Sequence, residues 1–260
     1  MAGARRATYG QSMFEIKSRG GEVLYRDDDA SDASEAVASA MEDGVDLSGA
    51  QLANIDLSSL DLADAVLADA NLDGCDLDGA NLEDADLSRA SVANATFRGA
   101  NLESASLAGA NLTGASFEGA NLERADLRDA HADRARFTRA NLERTCFENV
   151  RGEGAVMSKA NLERSNLRHA RLVNAELIAA NLERCDLRGA ELTGATFEAS
   201  NLERCDLRRA NLTGANLREA NLEKCNVDDA ILDRANVDGT NFDGVRGTPR
   251  APAASNPPYR

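Results

Sequence analysis

Three cysteines, Cys185, Cys205 and Cys225, stand 20 residues apart, a spacing that could stack thiolates for a metal or bring sulfurs together as a disulfide. Cys75 and Cys146 complete the set of five. The two histidines, His131 and His169, are the residue type from which acid–base and metal chemistry is most often built. Asp27, Asp28 and Asp29 form a carboxylate run without the glycine and terminal glutamate of a calcium loop, and the run reads as a solvated linker. Eight further carboxylates, Asp61, Asp64, Asp69, Asp73, Asp76, Asp78, Glu83 and Asp84, fall within 24 residues and offer fixed negative charge. There is no nucleophile elbow, phosphate loop or zinc-protease motif. Whether any of these groups converge depends on the elements that carry them.

Those elements repeat. From Leu47 to Phe242 every fifth residue is large and apolar, except Ala132 and Gly152, which makes 40 pentapeptides in one register. This central position is Leu in 28 of the 40, and the position two residues earlier is Ala in 28, so each unit offers one large and one small inward side chain. A period of five matches neither a helix nor a flat strand. It matches a chain that turns a corner once per unit. Asn-Leu-Glu recurs at 81, 101, 121, 141, 161, 181, 201 and 221, so four units close one coil and the array makes ten four-sided coils.

A four-sided coil decides the chemistry. Cys185, Cys205 and Cys225 become parallel inward side chains on one side, which suits neither the disulfide dihedral nor tetrahedral zinc, and they read as enlarged alanines. His131 and His169 fall on different sides and coils. No metal site, cofactor or catalytic centre follows, and the chain reads as non-enzymatic. Phe97, Phe117 and Phe137 stack inside on one side, and Asn81 to Asn221 form eight rungs of a side-chain amide ladder. Ala132 and Gly152 stack one coil apart, either as a backbone bulge or as the walls of a small internal pocket.

A solenoid exposes backbone and core at its ends. Residues 13–44 read as a β-hairpin turning at Gly20-Gly21, followed by a short helix opened by a capping box at Asp32 and Glu35 and stopped at Gly44. Val45, Ile55 and Leu60, large where Ala is usual, read as its contacts. Residues 1–12 read as a flexible start, 45–245 as the repeat array and 246–260, holding all four prolines, as a disordered tail. The far end has no such cap, and Val227, Ile231, Val237 and Phe242 are expected to pair two copies end to end. Nothing in the chain reads as a secretory or membrane-spanning segment, and five cysteines without such a signal point to the cytoplasm.

The chain has 29 Lys and Arg against 44 Asp and Glu, a net charge of −15, which argues against direct contact with nucleic acid. Residues 41–100 hold 13 acidic and 2 basic residues, net −11, whereas residues 101–245 hold 24 and 19, net −5. Three coils span roughly 14 Å, where B-DNA carries about 8 phosphate charges, so only the first coils reach DNA-like density. In later coils the column Glu103 to Glu223 runs beside Arg124, Arg144, Arg164, Arg184, Arg204 and Lys224.

Units such as Ala100-Asn101-Leu102-Glu103-Ser104 resemble the A(D/N)LXX motif of the pentapeptide-repeat family over about 200 of the 260 residues. The resemblance implies an all-β, right-handed quadrilateral β-helix. Some members of that family resemble DNA in shape and charge, bind DNA gyrase and protect or inhibit it, and commonly dimerise at the C-terminus. By that resemblance the acidic N-terminal coils are expected to meet a protein partner such as DNA gyrase or topoisomerase IV. A passive scaffold or spacer bound to another protein is the alternative.

Overall fold

The computed structural model describes residues 13–250; the start expected at 1–12 and residues 251–260 of the expected tail lie outside the described residues. Parallel bridges join each unit to the one 20 residues on, from Gln51↔Asn71 to Asn221↔Asn241. Four units therefore make one turn of the chain. We label its sides by their central residues: A (Leu82, Leu102), B (Leu87, Leu107), C (Val92, Leu112) and D (Leu77, Phe97).

One unit shows why the motif has its letters. Asn101 donates its N–H back to Ala80 O at 2.9 Å, and Leu102 donates forward to Asn121 O at 2.6 Å. Ser104 also donates forward, to Glu123 O at 2.8 Å, and Ala105 closes the corner onto Leu102 O at 3.1 Å. The remaining N–H, on Glu103, is taken by the Asn101 side chain, whose Oδ1 lies at 3.3 Å. All five donors are satisfied, as a buried or tightly turned backbone requires. Asp or Asn leads the unit because its short side chain reaches the amide two residues on.

The corner has a second requirement. From Gly44 to Gly244 every fifth residue has positive φ, for example Ser104 at 59°, Arg124 at 60° and Ala179 at 53°. Twenty-seven of these corners are not glycine. Each costs about 1–2 kcal/mol against a right-handed alternative, and the hydrogen bonds to the coils on both sides hold it there.

Inside, central and small residues are almost wholly shielded from water. Phe97, Phe117 and Phe137 stack with centroids 4.7 and 5.1 Å apart. Phe147, on the opposite side, meets the edge of Phe137 at 6.0 Å. Phe137 and Phe147 occupy the two coils whose side C carries Ala132 and Gly152, so extra ring volume there is matched by lost volume on side C. A Cβ added to Gly152 would lie 3.0 Å from Leu172 Cδ2 and 3.5 Å from Ala155 Cβ. The interior here is filled.

At the N-terminal end, β1 (Phe14–Lys17) and β2 (Val23–Asp27) form an antiparallel hairpin, and α1 (Ala33–Glu42) follows. Asp32 Oδ1 accepts the Glu35 N–H at 2.9 Å. The return arm of the box differs from expectation: Glu35 accepts from Ser31 N at 2.7 Å, one residue earlier than the cap itself. Gly44, at φ 65°, ends the helix, its N–H donating to Met41 O and that of Val45 to Ala40 O, a Schellman closure. The hairpin joins the first coil through Gln51 N to Lys17 O at 2.8 Å and Arg19 N to Gly49 O at 3.1 Å. Ile16, Val37 and Ala40 belong to the same core as Leu47, with Val45, Ile55 and Leu60 packed against it. At the far end, pairing runs past the expected boundary at 245, through Asn226↔Arg246 and Ile231↔Arg250. The ladder continues through backbone atoms alone, and its register shortens by one residue at the last bridge, 19 rather than 20 residues.

The filled interior sets the sign of one substitution. Gly152→Leu, which restores the prevailing central residue, is expected to destabilise the protein by at least about 1–3 kcal/mol in urea denaturation; a gain in stability would reveal an unfilled void.

Candidate acidic interface

The eight carboxylates expected to form a partner surface do not share one face. Asp61, Asp64, Glu83 and Asp84 lie on side A and its corner, Asp76 and Asp78 on side D, Asp69 on side B and Asp73 on side C. Asp69 and Asp73 are held on sides B and C by their own neighbours. Asp69 accepts a fork from Arg89, with Nε at 2.9 Å and Nη2 at 2.7 Å, and this guanidinium holds its carboxyl below the usual range. Asp73 accepts from Ser91 Oγ at 2.6 Å and Ala93 N at 2.8 Å, within the shaft's own lattice.

The others make one edge. Sides D and A are adjacent, and Asp76, Asp78, Asp61, Asp64, Glu83 and Asp84 follow one another around it. Asp56 belongs there too, directly bridged to Asp76 in the next coil. The hydroxyl and N–H of Ser58 keep the Asp56 carboxyl below its ordinary range. Arg98, which donates its backbone N–H to Asp78 Oδ1 at 2.8 Å and approaches its Oδ2 at 3.9 Å, is the one cation paired on this edge among the described residues. Asp64 and Asp84 occupy left-handed corners, at φ 57° and 56°, and are exposed. In two coils, roughly 10 Å, the edge carries seven carboxylates where B-DNA carries about six charges.

Further along side A the charge is cancelled. Arg124 lies 3.2 Å from Glu103 and 3.4 Å from Glu123, Arg144 3.5 Å from both Glu123 and Glu143, and Arg164, Arg184 and Arg204 each pair with the glutamate beside them. Such exposed pairs add little stability each, but they leave little field for a partner. Beneath them runs the amide ladder. Asn101 Nδ2 donates to Asn81 Oδ1 at 3.1 Å, and the chain of donors continues to Asn241, one rung beyond the expected eight. At the N-terminal end Asn81 donates to Asp61 Oδ1 at 2.9 Å, so an acceptor-only carboxylate terminates the ladder.

The remaining candidates do not converge. Cys185, Cys205 and Cys225 each donate Sγ–H to a leucine carbonyl in the coil below, at 2.9 Å, as Thr145 and Ser165 do in the same column through their hydroxyls. Burial pushes the Cys205 thiol well above its ordinary range, which opposes thiolate formation. Among the described residues no three His, Cys, Asp or Glu side chains are placed to hold a metal ion. His131 is exposed on side C, and His169 lies at a side B corner. Of the four residues expected at an end-to-end contact, Val227 is buried within the shaft; Ile231, Val237 and Phe242 are half-buried near its end. Among the described residues no helix is long and apolar enough to cross a membrane.

Comparison with known families finds the family model described as Pentapeptide repeats in eight copies, the first matching residues 46–84 and the last 210–246. Its members are right-handed quadrilateral β-helices. No curated protein matches the chain. Among solved structures, it is similar to HetL, a pentapeptide repeat protein involved in heterocyst differentiation regulation from the cyanobacterium Nostoc sp. strain PCC 7120, with 28% identity, 81% of this chain and 94% of that chain covered, and TM-score 0.39. A trypsin-treated form of QnrB1, a plasmid-mediated fluoroquinolone resistance protein, matches with 20% identity, 63% and 86% coverage, and TM-score 0.43.

Proposed function

We propose a function from one premise, that the chain belongs to the pentapeptide-repeat family, its repeats running through residues 46–246. The protein is a non-catalytic, cytoplasmic interaction rod. Its acidic D–A edge occupies a basic surface that otherwise receives DNA, on DNA gyrase or a related type II topoisomerase, and so protects or inhibits that enzyme. The observation that carries this reading is the uncompensated edge of Asp56, Asp61, Asp64, Asp76, Asp78, Glu83 and Asp84, with only Arg98 paired to it among the described residues. Dense fixed carboxylates on a rigid support give an electrostatic complement to a phosphate-binding surface. The choice of topoisomerase as partner comes from the family resemblance.

A scaffold reading draws support from the rest of side A, where the Glu–Arg lattice leaves a long neutral surface suited to passive display. The two readings part at the edge. Purified gyrase supercoiling, with and without a quinolone, is expected to change in the presence of the protein. Replacing Asp56, Asp61, Asp64, Asp76 and Asp84 by Asn is expected to abolish the effect, and raising the salt to weaken it. An Asp69→Asn, Asp73→Asn variant is expected to behave as wild type. No effect of the unaltered protein at micromolar concentration favours the scaffold.

We also propose end-to-end homodimerisation through the last coil, supported by the half-buried Ile231, Val237 and Phe242 at its rim. Sedimentation is expected to give a dimer that Phe242→Asp converts to monomer; a monomeric wild type at micromolar concentration refutes it.

A further inference from the structure

Side B repeats one device three times. Arg128, Arg188 and Arg208 each fold back onto the aspartate two residues earlier, with Nε donating to Asp126 Oδ1 at 2.9 Å, Asp186 Oδ1 at 2.8 Å and Asp206 Oδ1 at 2.9 Å. Arg168 stands in the same column, but the residue before it in the pattern is Asn166. The Asn166 carboxamide is fully used: Oδ1 accepts the backbone N–H of Arg168 at 3.1 Å, and Nδ2 turns away to Glu148 Oε2 at 3.2 Å. Arg168 Nε is shielded from water and has no acceptor among the described residues. A shielded, unbonded donor on a permanent cation is costly, and the three sister arginines show which acceptor fits it.

Arg168 also lines an open groove. His169 lies against Gly189 so closely that a Cβ there would come within 2.6 Å of Nδ1. Beside it runs a groove of about 310 Å³ lined by Arg168, Arg188, Arg208 and Arg209 with His169, and closed by Asp228 and Asp229. Arg188 and Arg208 are held by Asp186 and Asp206, and Arg209 approaches Asp229 at 3.9 Å. Of the four guanidiniums, Arg168 alone lacks a carboxylate among the described residues.

We propose that this groove binds an oxyanionic group, phosphoryl or carboxylate, on the guanidinium of Arg168, the one of its four arginines that no carboxylate among the described residues holds. The planar fork of a guanidinium presents paired N–H groups that match two oxygens of such an anion. The site lies on side B toward the C-terminal end, away from the acidic edge, and stands or falls independently of the topoisomerase reading.

The test is NMR of the arginine Nε–H groups during titration with inorganic phosphate and, separately, succinate, with chloride holding the ionic strength constant. A saturable shift of the Arg168 resonance is expected. Asn166→Asp, which supplies the missing carboxylate within the chain, is expected to weaken binding at least tenfold. Arg168→Gln is expected to abolish the saturable response of the remaining groove arginines, and Arg128→Gln to leave binding unchanged. Saturation by phosphate alone assigns a phosphoryl ligand; saturation by succinate, alone or with phosphate, assigns a carboxylate. The proposal is overturned if neither anion saturates the shift, or if binding persists at wild-type strength in both Asn166→Asp and Arg168→Gln.

Discussion

Everything in this shaft depends on closing a corner every five residues while keeping acceptors for the backbone N–H groups that the corner turns. A square coil has no run of extended strand long enough to satisfy itself by ordinary pairing. Two N–H groups donate to the coil ahead, one to the coil behind and one across the corner, as in Asn101–Ala105. The fifth has only a side chain to turn to, which explains Asp or Asn at the head of so many units. The left-handed residue at each corner is the conformational cost of this arrangement. The coils above and below enforce it even on Arg124 or Ala179, where glycine would be easier.

Because the backbone and the inward pair hold the fold, the outward positions are released to carry charge. The sequence uses this freedom unevenly. Around Asp64 and Asp84 the corners are acidic and unpaired, while from Arg124 to Lys224 the equivalent corners neutralise the glutamate column. A rigid rod thus holds one charged edge and one neutral surface in fixed relation. The Arg column of side B, with its single missing aspartate at Asn166, adds a third chemically distinct surface on the same support.

The period of five and the recurrence of Asn-Leu-Glu made the coil, its core and the amide ladder legible from residue order, because each repeats a local backbone requirement. The expected hairpin, helix and Gly44 stop likewise rest on short-range signals at Gly20-Gly21, Asp32 and Gly44, and the described hairpin and helix occupy those residues. The site was less legible. Counting acids along the chain grouped Asp69 and Asp73 with Asp64, yet the coil sends them to different sides and pairs Asp69 with Arg89, 20 residues away. Asp56 was missed for the same reason, since its neighbour Asp76 is adjacent in space only. The ambiguity at Ala132 and Gly152 was settled by Phe147, whose edge contact with Phe137 crosses the shaft and left no trace in the period of five.

The hydrogen bond from a leading Asp or Asn can be measured directly by residue-resolved amide hydrogen exchange. Glu103, Glu123 and Glu143 donate to the asparagine two residues earlier, whereas Thr138, Ser158 and Val173 follow Arg136, Val156 and Arg171, which offer no such oxygen. One hydrogen bond contributes about 1 kcal/mol, so the three glutamate amides should exchange roughly threefold to tenfold more slowly than the other three after correction for intrinsic rates. Equal rates in the two sets would contradict the account, because the Asp or Asn of the motif would then have no part in holding the corner.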